Sequence, residues 1–139
     1  MDKRTSTKKL VYSLELFDSA CDANFQNALD IYRNNIVWQE KTPLNEISWV
    51  VENSKKFKTS SPYIFGITLN NTIIGYAEVA YVKRAKFITI DYLILDGKYK
   101  THSAFYTFLM LIVEYFNANK CDYDFIITEK LATQSNSTP

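Results

Sequence analysis

The sequence predicts one α/β domain, a mixed sheet with helices on both faces and elements in the order β-α-α-β-β-β-α-β. Three observations carry this. A block of strand-like segments runs from Tyr63 to Leu95, broken at Asn70-Asn71 and at the charged stretch Lys83 to Lys86. A long apolar helix pattern, Ser103 to Asn119, follows that block. A short apolar run, Tyr123 to Thr128, comes last. Reached through a crossover helix, that run pairs parallel to the strand before the helix, which makes the sheet mixed.

The elements follow in order. The residues up to Lys9 are polar and basic and read as a flexible arm, residues 1–9. Leu10 to Phe17 alternates in part and predicts the first strand. Asp22 is an N-cap candidate, and Phe25, Ala28, Leu29, Tyr32 and Ile36 recur at helical spacing, predicting a helix to about Asn34. Thr42 as cap and Pro43 at the first helical position open a second helix. Its apolar face runs from Leu44 to Phe57, with cations from Lys55 to Lys58 in the last turn.

The strands Tyr63 to Leu69 and Thr72 to Val82 flank Asn70-Asn71, a pair that tolerates the positive φ of a tight hairpin. Phe87 to Leu95 completes a three-stranded meander, which Asp96-Gly97 ends with a turn. The helix from Ser103 is apolar nearly all round and reads as buried against the sheet. Tyr123 to Thr128 is continuous in its apolar character and reads as a fully buried parallel strand. The domain spans residues 10–130, and residues 131–139 form a polar tail.

Composition excludes several classes. With 47% hydrophobic and 22% charged residues, the chain is no disordered segment. A net charge of +1 removes the basic footprint of a dedicated nucleic-acid binder. No apolar run approaches the ~20 residues that span a bilayer, so no membrane segment is expected. Cys21 and Cys121 stand far apart, and His102 is the sole histidine, which leaves too few ligands for a zinc site. The expectation is a cytoplasmic protein with two buried, reduced thiols and no metal. No glycine-rich phosphate loop is present.

The segment with chemical content runs from Asp91 to Phe105. Strand DYLIL, turn DG and KYKTHSAF lead into the apolar helix. The first turn of a helix has free N–H groups and the positive end of the dipole. Here it also carries the hydroxyls of Thr101 and Ser103, with the ammonium groups of Lys98 and Lys100 just before it. A strand-to-helix turn so equipped suits phosphate or pyrophosphate.

The stretch IDYLILDGKYKTHSAFYTFLML and the element order resemble the GNAT superfamily of N-acetyltransferases. In that family the strand leads to a helix whose start, Q/R-x-x-G-x-G/A, binds the pyrophosphate of acyl-CoA. Tyr99 matches the common aromatic of the motif, and Lys100 stands for its Arg or Gln. Ser103 and Phe105 stand at the first and last motif glycines, so the motif is degenerate. The resemblance implies acetyl-CoA as co-substrate, held at Lys100, Thr101, His102, Ser103, Ala104 and Phe105. The backbone N–H groups of Leu93 and Leu95 would align its pantetheine arm. It also implies a further helix and two strands after Thr128, whereas the sequence ends at Pro139.

Acetyl transfer to an amine needs an oriented thioester, a deprotonated amine and a proton donor for the thiolate. Carboxylates that fit the proton acceptor are Asp91, Glu78 and Glu129. Asp91 is the sharpest, since a carboxylate in so apolar a strand is costly unless it is used or paired. Tyr76, Tyr81 and Tyr92 are candidates to line an acceptor pocket. His102 is either a loop residue near the co-substrate or an exposed turn residue. The resemblance implies an N-acetyltransferase acting by direct transfer on a small-molecule or peptide amine. The alternative is a non-catalytic module of the same fold that binds a partner or ligand. An open edge on the last strand leads to the expectation of a homodimer or partner complex through that strand.

Overall fold

A computed structural model describes residues 9–35, 43–53 and 62–128. The arm before residue 9, the Thr42 cap, Phe57 and its neighbouring lysines, Glu129 and the polar tail lie outside the described residues. The elements are β1 (Tyr12–Leu16), α1 (Ala23–Asn35), α2 (Leu44–Glu52), β2 (Pro62–Leu69), β3 (Thr72–Val82) and β4 (Phe87–Leu95). A 3₁₀ turn (Gly97–Tyr99), α3 (His102–Ala118) and β5 (Phe125–Thr128) follow. The five strands form one sheet in chain order. Neighbours from β1 to β4 are antiparallel, and β4 and β5 are parallel, as the crossover helix predicts.

Local chemistry sets the boundaries. Asn70 and Asn71 take φ of 49° and 73°, the left-handed pair that a two-residue hairpin requires. Asn70 also ties the hairpin to the start of β1, since its Oδ1 accepts the Val11 N–H at 2.9 Å. Asp22 caps α1, with Oδ1 accepting the Asn24 N–H at 2.8 Å. The second helix starts one residue later than the sequence predicts. Pro43 sits outside it in an extended conformation, at the capping position. Asn53 closes it, donating both its N–H and its Nδ2 to the Trp49 carbonyl.

Each face of the sheet carries its own core. On one face, Phe105, Phe108, Ile112 and Phe116 of α3 pack on Phe65, Ile67, Ile88, Ile90, Leu93 and Leu95. On the other, Phe25, Leu29 and Tyr32 of α1 and Ile47 and Val51 of α2 pack with Phe17, Ile64, Ile73, Tyr76 and Ile94. Burial of each large side chain contributes about 2–3 kcal/mol. Gly66 lets the second core close: a Cβ there would lie 2.7 Å from Cζ of Phe17.

The feature that shapes the site is a β-bulge in β4. The pairing runs Glu78 with Tyr92 and then Val79 with Ile90, so Asp91 is an extra residue. Side chains alternate along a strand, and the bulge resets that alternation. Ile88 and Ile90 before it, and Leu93 and Leu95 after it, all face α3. Thr89, Asp91, Tyr92 and Ile94 are left on the face of α1 and α2.

Two expectations are corrected. The strand β5 is not fully buried: Phe125 is 51% and Ile127 38% exposed. Only Ile126 turns to the α3 core. Phe125 stacks on Phe87, with centroids 5.6 Å apart. That places Phe125 and Ile127 on the α1/α2 face, where no described helix reaches them. An apolar run fixes the strand but not whether another element covers it. The thiols are not both buried either: Cys21 is exposed at the entry to α1, and Cys121 is partly exposed.

Candidate functional site

Two parts of the site adjoin along β4. The first is a backbone edge. The Asp96 N–H donates to the Ile74 carbonyl at 2.8 Å. Counting back along the register, Ile94 and Tyr92 also turn their polar groups towards β3. The N–H and C=O groups of Leu93 and Leu95 therefore point to the opposite edge. The pairing with β5 stops at Ile90 with Thr128. Among the described residues, no strand covers β4 beyond that point. This stretch of the β4 edge has no strand partner among the described residues; it is buried at Leu93 and Leu95 and runs to the start of α3.

At the start of α3, Thr101 is the N-cap, its Oγ1 accepting the Ala104 N–H at 3.1 Å. The Phe105 N–H makes the first helical bond, to the Thr101 carbonyl at 3.0 Å. The N–H groups of His102 and Ser103 have no protein partner among the described residues. Both side chains are exposed. The Thr101 hydroxyl, accepting one bond, keeps its proton to donate. The Lys98 ammonium lies 5.5 Å from the centroid of the Tyr99 ring, and Lys100 is the next cation before the helix. Phe105 turns away from this surface and is buried in the α3 core. The large side chain at a motif glycine position thus leaves the helix mouth open. The helix start offers two amides and one hydroxyl; Ala104 and Phe105 have already spent their N–H groups.

The second part is a set of acidic and aromatic side chains on the α1/α2 face. Glu78 lies opposite Tyr92 at the bulge, one strand from the open edge. Its Oε1 accepts the Tyr76 hydroxyl at 3.1 Å. Burial pushes the Glu78 carboxyl from its ordinary value of 4.5 up to about 7. The Tyr76 hydrogen bond pulls it down, and the carboxylates of Asp91 and Glu46 push it further up. A carboxylate poised near neutral pH is suited to accept a proton. Asp91 is held differently. Its Oδ1 accepts the Thr89 hydroxyl at 3.1 Å, so the carboxylate in the apolar strand is hydrogen-bonded at a bulge. Glu129 lies outside the described residues.

The aromatics divide. Tyr76 is wholly buried, and its ring packs on Tyr32 of α1 at 4.8 Å between centroids. Tyr92 meets the same Tyr32 edge-on at 5.6 Å. Tyr81 belongs to the opposite core, with its hydroxyl bonded to the backbone of Asp122, and lines no acceptor pocket on this face. Two participants escaped sequence reasoning. Tyr32 reads there only as a core position of α1. Glu46, in the first turn of α2, is not among the sequence candidates.

No protein-family model and no curated protein matches the sequence. Solved structures do match. An aminoglycoside acetyltransferase from an uncultured soil metagenomic sample, solved with trehalose, superposes with a TM-score of 0.62 at 10% identity, over 92% of this chain and 82% of that one. A GNAT family acetyltransferase of Staphylococcus aureus gives 0.62 at 13% identity, over 86% of each chain. The PaiA N-acetyltransferase of Thermoplasma acidophilum, solved in complex with coenzyme A, gives 0.56 at 15% identity, over 78% of this chain and 75% of that one.

The fold is that of the GNAT acetyltransferases.

Within this GNAT-like fold, β4 and α3 are the strand and helix whose sequence resembles the family's acyl-CoA-binding segment. Among the described residues, no three His, Cys, Asp or Glu side chains gather to hold a metal ion. No described helix is long and apolar enough to cross a membrane.

Proposed function

We propose that this GNAT-like protein is a cytoplasmic N-acetyltransferase that moves an acetyl group from acetyl-CoA to an amine by direct transfer. The observation that supports the reading is the edge of β4 that no described strand pairs, which runs to two amides at the start of α3 that have no partner among the described residues. The Leu93 and Leu95 amides hold the pantetheine arm. The turn from Lys100 to Ser103 holds the pyrophosphate, with His102 and Ser103 giving backbone N–H groups and Thr101 its hydroxyl. Glu78 accepts the proton of the acceptor amine, directly or through a water, as the C–N bond forms and the C–S bond breaks. The Asp91 carboxylate acts on Glu78 from the same face, and acidic groups there favour a cationic acceptor.

Calorimetric titration with acetyl-CoA and CoA tests the reading. Saturable binding of both is expected, and a blank titration would remove the enzyme reading. Lys100→Glu should weaken binding about tenfold, from the reversed charge beside the bound phosphates. Lys86→Glu should change it less than about twofold, because Lys86 lies in a remote turn where it pairs with Asp122 at 3.3 Å. Equal effects from the two variants would show diffuse charge attraction instead of a site.

The exposed Phe125 and Ile127 favour a second reading, a partner-binding module in which β5 is the contact and the partner is a second copy of the chain. An apolar strand edge of this kind templates pairing. Sedimentation at micromolar concentration should show a dimer, and Phe125→Ser should shift it towards monomer. A single 16.1 kDa species in the unmodified protein would overturn the dimer.

A further inference from the structure

We propose that Tyr76 is a positioning residue for Glu78: its phenol holds Oε1 of the carboxylate and leaves Oε2 to meet the acceptor amine. The inference rests on the reading of Glu78 as proton acceptor and goes beyond it.

Three features of the structure support it. The Tyr76 hydroxyl lies 3.1 Å from Glu78 Oε1, within hydrogen-bond range. The phenol is fully buried, so water cannot take the place of this contact. The ring is also fixed, since Tyr32 packs against it at 4.8 Å and itself meets Tyr92 at 5.6 Å. Tyr76 and Glu78 are two apart on β3, so their side chains share a face. The bulge then brings Asp91 and Tyr92 together on that face from β4. A phenol anchored in the core thus reaches outward to a carboxylate at the rim of the face.

The groups around Glu78 fix what the phenol does. Tyr76 comes from its own strand, Asp91 and Tyr92 from β4, Glu46 from α2, and Tyr32 from α1 behind Tyr76. Asp91 and Glu46 are acidic and disfavour a second negative charge. Among the described residues, the groups that act on Glu78 include no cation. Tyr76 is the donor that stabilises the ionised, proton-accepting form. Without that donor the carboxyl would be protonated more of the time at neutral pH and could accept a proton less often.

The test is carbon-13 NMR titration of the Glu78 carboxyl in the full chain, its signal assigned by loss in Glu78→Gln. Neither acceptor nor acetyl-CoA is needed. In Tyr76→Phe the ring and its contact with Tyr32 remain, and the titration midpoint should rise by about 1 pH unit, from loss of one hydrogen bond to a charged group. Replacing Tyr76 by 3-fluorotyrosine keeps the hydroxyl and makes it a stronger donor, so the midpoint should fall. The pair of opposite shifts separates donation from packing and survives a loss of stability in the phenylalanine variant. A midpoint unmoved in both variants overturns the role of Tyr76, whatever the activity. Full turnover in Glu78→Gln, with the two shifts intact, instead overturns Glu78 as proton acceptor.

Discussion

Glu78→Gln is expected to make the protein more stable above pH 7 while removing the carboxylate proposed as proton acceptor. Burial and the neighbouring carboxylates raise the Glu78 carboxyl from 4.5 to about 7 in the folded chain. Between those values the native state binds a proton that the unfolded state does not, so stability falls as pH rises. Above pH 7 the folded protein must hold the carboxylate ionised against its surroundings. At about 1.4 kcal/mol per pH unit, the full cost is about 3 kcal/mol. Below 4.5 the group is neutral in both states and costs nothing. Glutamine is isosteric and neutral, and its amide oxygen still accepts the Tyr76 hydroxyl. Urea unfolding at pH 8.5 should therefore show the variant ahead by about 3 kcal/mol, with the gap shrinking below about 1 kcal/mol at pH 5. A gap of equal size at both pH values would show that the gain is unrelated to ionisation. A stabilising change that abolishes acetyl transfer would show strain retained for function.

Much of this arrangement is legible in the sequence, for identifiable reasons. The order of elements follows from the change of period at Asp96-Gly97 and from the asparagine pair, because glycine and asparagine tolerate turn conformations that other residues resist. In FITIDYLIL the apolar positions shift from Ile88 and Ile90 to Leu93 and Leu95, so the bulge is written in the strand as a slip of one residue. The ranking of the carboxylates is not legible. Asp91 stands out in the sequence because its neighbours are apolar, yet it accepts a hydrogen bond from Thr89 two positions earlier on the same strand. Glu78 stands out only when cross-strand register and two helices are known, since its surroundings come from β4, α1 and α2. Exposure of β5 is unreadable for a similar reason. Apolar character tells what a strand prefers, and coverage depends on elements elsewhere in the chain.

Phe105→Gly, which restores the glycine of the resembled motif, is expected to damage the fold without improving acyl-CoA binding. The motif glycine serves where a side chain would keep phosphate from the backbone. Phe105 presents no such obstacle, because its ring is buried in the α3 core beside Phe108 and the strand residues. Its N–H is not waiting for a ligand either, being bonded to the Thr101 carbonyl at 3.0 Å. Removing the ring forfeits a buried aromatic side chain and leaves a cavity, a loss of about 3–5 kcal/mol. Glycine inside the helix adds up to about 1 kcal/mol. Thermal unfolding should therefore show a loss of about 4 kcal/mol, a large share of what a domain of this size holds. Calorimetry below the new melting point should show CoA affinity unchanged or lower. The amides that remain to bind phosphate, those of His102 and Ser103, lie before position 105 and gain nothing from the change. Tighter binding in the variant would mean that Phe105 swings out over the helix mouth in solution.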